Sequence, residues 1–208
     1  MRDAAPLLTE DVNASAITDR LRAAGCVFAE DEARLLLSEA RTADDLDQMV
    51  DRRTAGIPLE YVLGWAEFCD LRIELEPGVF VPRVRTEFLV RQAVALTHRA
   101  AALAPPAPVV LDMCCGSGAV GAALAAAVDG IEVLAADVDP LAVSWAWRNI
   151  PGGRVYQGDL YGALPAGVRH RVDVLIANAP YVPSGQLELM PREARLHEPQ
   201  ATLDGGAD

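Results

Sequence analysis

From Val109 onward the sequence alternates short strand-like runs with helical stretches, and each run stops at an acid or an amide. Val109-Val110-Leu111 ends at Asp112, Ile131 to Ala136 at Asp137, Arg154 to Gln157 at Asp159, and Val172 to Ala177 at Asn178. Between them, Gly118 to Val128 and Pro140 to Asn149 read as helices. Strands separated by helices need crossover connections, so the pattern predicts an α/β fold with a mostly parallel sheet and right-handed crossovers. The four polar residues then share one edge of that sheet, the edge where such sheets bind ligands.

Upstream, the period is helical and then changes. Residues 1 to about 15 read as a loose leader. Ile17, Leu21 and Ala24 recur at helical spacing, and Asp31-Glu32 opens a run with Leu35, Leu36 and Leu37. Thr42 with Asp45 forms a capping-box pattern ahead of Leu46, Met49 and Val50, and Gly56 can close that helix. A small helical domain over 1–65 is predicted. Between Pro58 and Pro82, Leu71, Ile73 and Leu75 alternate with Arg72, Glu74 and Glu76, and Pro77-Gly78 marks a turn, which predicts a β-hairpin linker over 66–85. From Thr86 a helix runs through Phe88, Leu89, Ala93 and Leu96 to a Pro-rich stretch at 105–108, so the α/β domain is placed at 86–208.

Composition narrows the partners. Eighteen basic residues against 30 acidic give a net charge of -12, which opposes a free-standing nucleic-acid binder, because phosphate contacts need a basic surface. Cys26, Cys69, Cys114 and Cys115 show neither a disulfide framework nor a CxxC pair, so a reducing, cytoplasmic setting is expected. No signal stretch opens the chain, and Thr97, His98 and Arg99 interrupt the Ala-rich run from Ala93 to Ala104, so no membrane segment is expected. His98, His170 and His197 lack metal-ligand spacing, and no metal site is proposed. Trp145 and Trp147, two apart on a helix, read as packing residues.

Gly116-Ser117-Gly118-Ala119-Val120-Gly121 is a GxGxxG between a strand and a helix, with Asp137 about 20 residues on, which alone suits a dinucleotide such as NAD. Asp112 tilts the choice: a carboxylate there repels a pyrophosphate but suits the ammonium end of a methionine moiety. That favours S-adenosylmethionine, with Asp137 accepting from ribose hydroxyls and Asp159 from an adenine amino group. Each acid alone also reads as a helix cap or solvated strand end, and Cys114-Cys115 as small filler beneath the loop.

The combined motifs are more specific. Asp112-Met113-Cys114-Cys115-Gly116-Ser117-Gly118, Asp137, Asp159 and Asn178-Ala179-Pro180-Tyr181 resemble the class I (Rossmann-like) S-adenosylmethionine-dependent methyltransferases that modify planar nitrogens, whose usual motif reads Asn-Pro-Pro-Tyr. Pro82-Arg83-Val84-Arg85-Thr86-Glu87 resembles the PRxxTE element of the release-factor glutamine methyltransferases, the HemK or PrmC family. Gly56-Ile57-Pro58 with Tyr61 and Gly64, Glu198-Pro199, and Leu203-Asp204-Gly205-Gly206 match the same family. The resemblance implies methylation of a glutamine side-chain amide in a protein, such as a peptide chain release factor, docked by the helical domain. It places Asp112, Cys114, Gly116, Ser117, Gly118, Asp137, Asp159 and Asn178 around the cofactor. Asn178 and the backbone carbonyl after it grip the amide, within a catalytic set of Asn178, Ala179, Pro180 and Tyr181, while Tyr181 walls the pocket. Arg83 and Glu87, on the linker, either contact substrate or brace each other. Ala179 departs from the family's first proline; the carbonyl acceptor survives, and backbone rigidity is lost.

The resemblance also implies seven strands where the sequence shows four, so an incomplete, C-terminally truncated domain with an open apolar edge on the fourth strand is expected. Besides glutamine methylation, three readings stay open: methylation of an adenine amino group, an NAD-dependent enzyme, and a truncated, non-catalytic interaction module.

Overall fold

The computed structural model describes residues 10–103 and 107–207, and divides them at Leu63/Gly64 into two units. The first is helical: α1 (Glu10–Ala23), α2 (Ala29–Glu39), α3 (Ala43–Thr54) and the short α4 (Leu59–Leu63). Helix α1 starts well inside the segment expected to be a leader, whose residues 1–9 lie outside the described ones. On α2, Ala29, Glu32, Ala33 and Leu36 share a buried stripe at helical spacing, and meet Ile17, Leu21, Met49, Val50 and Val62 in one core. The capping pattern forms at α3, where Thr42 Oγ1 accepts the Asp45 N–H at 3.1 Å and Gly56, at φ 93°, turns the chain out. Within that core, Arg53 Nε and Nη2 donate to Glu32 Oε2 and Oε1 at 2.6 and 3.1 Å, and Nη1 donates to the Ile57 carbonyl at 3.0 Å. A buried charge pair persists only when its donors and acceptors are met in this way.

The second unit opens with an antiparallel hairpin, β1 (Trp65–Phe68) and β2 (Leu71–Glu74). Its reversal is the two-residue loop Cys69-Asp70, with φ of 51° and 59°. Such a loop usually takes Asn-Gly, so nothing in Cys-Asp signals it from sequence. The hairpin expected as a separate linker lies within this second unit.

Helix α5 (Glu87–Leu103) leads to the alternating region: β3 (Val109–Met113), α6 (Ala119–Ala127), β4 (Glu132–Asp137), α7 (Pro140–Asn149), β5 (Arg154–Gln157) and β6 (Val174–Ala177). All four strands are parallel, in the order β5-β4-β3-β6. On one face, Val110, Val133, Ala135, Val155, Val174 and Ile176 pack against Val90 and Ala93 of α5, Ala122 and Leu124 of α6, Ala146 of α7 and Ile150 just beyond it. The other face carries Val109, Leu111, Met113, Leu134 and Ala136, met by Val168, Ala163 and Leu164 from the turns after β5. Leu175, on edge strand β6, remains 43% exposed. The chain moves outward from β3 through β4 to β5 and returns to β6 on the far side of β3. Strand order therefore reverses between β3 and β6, the position at which parallel sheets open a ligand crevice.

Beyond β6 come β7 (Val182–Pro183), α8 (Arg192–His197) and β8 (Asp204–Gly206), with β8 parallel to β7. Among the described residues no helix is long and apolar enough to cross a membrane.

Candidate active site

The carboxyl edge of the sheet opens into a cleft with about 1270 Å³ of empty space, solvent at its mouth included. Asp112 lies at its floor on β3, buried, with Oδ2 accepting the Gly121 N–H at 2.9 Å. Burial pushes its carboxyl up to about 7; the Gly121 N–H pulls the other way, and the charge of Asp137 adds a smaller upward push.

The loop after β3 is shaped by its neighbours. Gly118, at φ 79°, starts α6, and a Cβ on it would stand 2.9 Å from the Ala146 Cα, so only glycine lets α6 and α7 approach this closely. At Gly116 an added Cβ would meet no protein atom, which leaves the space above the loop to the cleft. Asp137 holds this loop: Oδ2 accepts the Gly116 N–H at 2.8 Å and Oδ1 the Asp139 N–H at 3.0 Å. Asp139 in turn caps α7 through the Leu141 N–H at 2.8 Å. Cys114 lines the cleft at φ 57°, a left-handed conformation that a non-glycine residue adopts only at a cost. Burial, then the charges of Asp137, Asp112 and Asp159, raise its thiol, and burial raises the Cys115 thiol well above its ordinary value; both cysteines are free.

Asp159 follows β5 and lines the same cleft. Among the lining residues that escaped the sequence reading are Val138 and Leu160, 64% and 49% exposed, each directly after a cleft acid. Apolar side chains held out beside hydrogen-bonding carboxylates suit a flat ring with polar edges. The repeated acid-apolar pair, Asp137-Val138 and Asp159-Leu160, is the signal that could have found them.

Asn178, Ala179, Pro180 and Tyr181 continue from β6 along the opposite wall of the cleft. Strand β8 and the residue before it support them: the Val182 N–H donates to the Leu203 carbonyl at 3.1 Å, and a Cβ on Gly205 would stand 2.9 Å from both the Cα and carbonyl carbon of Tyr181. The downstream Leu203-Asp204-Gly205-Gly206 thus backs the Asn-Ala-Pro-Tyr turn. Ser184 Oγ and the Gly206 N–H, in that order, hold the Asp204 carboxyl below its usual range.

The upstream Arg83 also lines the cleft, with Nη2 2.5 Å from Oε1 of Glu198, whose side chain is 2% exposed. Glu87 is not among the lining residues; its Oε1 accepts the Cys69 N–H at 3.2 Å and its Oε2 lies 3.8 Å from Arg91. Arg83 and Glu87 therefore brace different parts of the unit, not each other. Arg85 donates to the Tyr181 hydroxyl, and its guanidinium carbon lies 5.4 Å from the centre of that ring.

The Methyltransferase small domain family matches residues 85–206. Release factor glutamine methyltransferase of Streptomyces coelicolor is 37% identical over 178 residues, covering 82% of this chain and 62% of that protein. Its counterpart in Bifidobacterium longum is 30% identical and covers 97% of this chain and 78% of that protein. The chain belongs to the release factor glutamine methyltransferase family. A further relative, the 4-amino-L-phenylalanine/4-methylamino-L-phenylalanine methyltransferase of Streptomyces pristinaespiralis, is 33% identical over 100% of this chain and 76% of that protein. The chain spans less than two thirds of the length of the S. coelicolor protein.

In this member of the release factor glutamine methyltransferase family, the second unit has the class I, Rossmann-like methyltransferase fold. Its hairpin is tied to the glycine loop by Asn149, at the end of α7. The Asn149 amide accepts the Glu74 N–H at 2.9 Å and donates to the carbonyls of Glu74 and Ser117 at 2.8 and 2.9 Å. Trp145, read as a packing residue, donates Nε1 to Glu76 at 3.1 Å and lies under the Arg148 guanidinium.

Proposed function

We propose that the chain transfers the methyl group of S-adenosylmethionine to the side-chain amide nitrogen of a glutamine in a protein, with a peptide chain release factor as the substrate its relatives' names point to. The observation that carries this reading is the convergence of Asn178-Ala179-Pro180-Tyr181 with Asp112, Gly116, Asp137 and Asp159 on one cleft at the point where strand order reverses.

The lining residues fit the cofactor. Carboxyl groups at Asp112, Asp137 and Asp159 suit its ammonium group, ribose hydroxyls and adenine amino group in turn; Gly116 leaves the space, and Val138 and Leu160 offer apolar contact to the adenine ring. Cys114, Ser117 and Gly118 complete the loop that follows its methionine end. When bound, the cofactor supplies a sulfonium-activated methyl group. Asn178 and the Ala179 carbonyl then accept the two amide N–H bonds, fixing the nitrogen and stabilising the positive charge that grows as the methyl arrives. The nitrogen gains the methyl and afterwards gives one proton to solvent, so no side-chain base is needed. Tyr181 walls the pocket. Arg83, committed to buried Glu198, and Glu87, committed to the hairpin turn, act as braces rather than substrate contacts.

Calorimetry tests the cofactor: S-adenosylhomocysteine is expected to bind and NADH not to. For the transfer step, Asn178→Ala is expected to abolish methylation while S-adenosylhomocysteine affinity stays within a few fold; unchanged turnover would sink the assignment. Comparing methylated proteins by mass spectrometry in cells with and without the gene identifies the target. The adenine-amino reading is not favoured, given the -12 charge and relatives named for release factors. A second planar nitrogen, the aromatic amine of an amino acid, is favoured by the S. pristinaespiralis relative, which aligns over the whole of this chain. Turnover of 4-amino-L-phenylalanine without any protein substrate would establish it.

A further inference from the structure

The charges on the cleft wall are sorted by position. Asp112 lies on β3, Asp137 ends β4, and Asp139 and Asp159 follow β4 and β5, while two arginines, Arg83 and Arg85, come from the segment before α5. Arg83 is neutralised by Glu198. Arg85 is different: among the described residues no carboxylate pairs with it, and its contacts are the hydroxyl and ring of Tyr181. Glu87, the acid nearest in sequence, is turned toward the Cys69 N–H and Arg91.

A bare guanidinium beside the acceptor pocket opposes the proposed chemistry. Positive charge builds on the acceptor nitrogen during methyl transfer, and a cation nearby raises the energy of that state unless an anion screens it. Nor does Arg85 hold the backbone, since its donor goes to a side-chain hydroxyl on the cleft wall. The guanidinium fork is shaped for a carboxylate, and Tyr181 fixes it in place for one.

We infer that Arg85 is a specificity-determining residue that binds a carboxylate carried by the methyl acceptor, close to the nitrogen that is methylated. This rests on the proposed function, and it narrows the substrate class. Either the glutamine is flanked by an acidic residue, or the acceptor is an amino acid with a free carboxylate. Both present the same group to Arg85.

The test uses the full chain and three pairs of probes, each differing only in charge: N-acetyl-L-glutamine against its carboxamide, 4-amino-L-phenylalanine against its carboxamide, and the capped peptide Ala-Gln-Asp-Ala against Ala-Gln-Asn-Ala. Binding is followed by NMR titration with and without S-adenosylhomocysteine. At least one carboxylate probe is expected to bind tenfold or more tightly than its neutral partner. Arg85→Gln is expected to shrink that ratio to within twofold, and Arg85→Lys to restore part of it. Preference in the peptide pair alone points to a flanking acid, and preference in either of the other pairs to a free carboxylate. Equal binding within every pair, no binding by any probe, or a preference that survives Arg85→Gln overturns the inference. S-adenosylhomocysteine binding is read separately: its loss counts against the proposed function, while the charge preference is still measured without it.

Discussion

At Asp112, a carboxyl group whose ordinary value is 3.8 is raised to about 7 by burial. The folded state thus holds a proton that the unfolded chain releases. The stability this contributes is full below about pH 3.8 and is lost as pH rises through 7, a change of about 4 kcal/mol by linkage. Asp112→Asn keeps an acceptor for the Gly121 N–H and removes the charge. Thermal melts at pH 4, 6 and 8 are expected to show the variant gaining on wild type as pH rises; parallel curves would mean that Asp112 does not titrate in this range. The same group bears on the ligand. If Asp112 receives the cofactor's ammonium, binding below pH 7 must first expel the proton, so S-adenosylhomocysteine affinity is expected to fall by up to about tenfold per pH unit from 7 to 5. Calorimetry in buffers of different ionisation enthalpy reads the released proton directly. Gly205 is a steric counterpart. A methyl there meets the Tyr181 backbone at 2.9 Å, and neither backbone segment has a flexible end to move aside. Gly205→Ala is expected to cost about 1–3 kcal/mol in denaturant unfolding, an overpacking effect.

At the scale of elements, the hairpin and the glycine loop are coupled through one side chain. Asn149 pairs with both backbone groups of Glu74, as another strand would, and spends its remaining donor on Ser117. Asn149→Ala leaves these groups without their partner; a loss of about 1–3 kcal/mol and a roughly tenfold weaker S-adenosylhomocysteine affinity are expected. Asn149→Asp retains only the acceptor and should do no better. Lost stability with unchanged affinity would show that the loop holds its shape without the hairpin. This coupling was not legible in the sequence, because Asn149 and Glu74 are 75 residues apart and an asparagine ending a helix has many local explanations. Whereas β7, α8 and β8 were not read, the strands and helices from β3 to β6 were legible for the opposite reason. Each ends on local chemistry: an acid after the strand, Gly118 or Asp139 before the helix. Helix α4 and the Cys69-Asp70 reversal were missed, the first being only five residues long and the second using a pair with no turn signature. The strand-end acids and the Asn-Ala-Pro-Tyr turn could be named in advance, whereas the separate duties of Arg83, Arg85 and Glu87 depend on partners up to 115 residues away.

For the whole molecule, the division at Leu63/Gly64 separates a helical unit from the unit that carries the cleft. Every residue lining the cleft comes from 64–208, and the helical unit has its own core around Leu21, Leu36 and Val50, with its own buried Arg53–Glu32 pair. A core closed by its own contacts lets each unit keep its local structure without the other. If residues 1–63 serve to dock a protein substrate, as the resemblance implies, removing them should change catalysis and cofactor binding unequally. The fragment 64–208 is expected to bind S-adenosylhomocysteine within a few fold of the full chain by calorimetry. Methylation of a protein substrate, measured at limiting concentration, should fall by at least tenfold, with the loss mainly in KM, because docking supplies binding energy remote from the reacting nitrogen. Methylation of a small acceptor such as N-acetyl-L-glutamine should be little changed. A fragment that folds by circular dichroism yet binds no S-adenosylhomocysteine would place part of the cofactor site's support in the helical unit and overturn the division of labour.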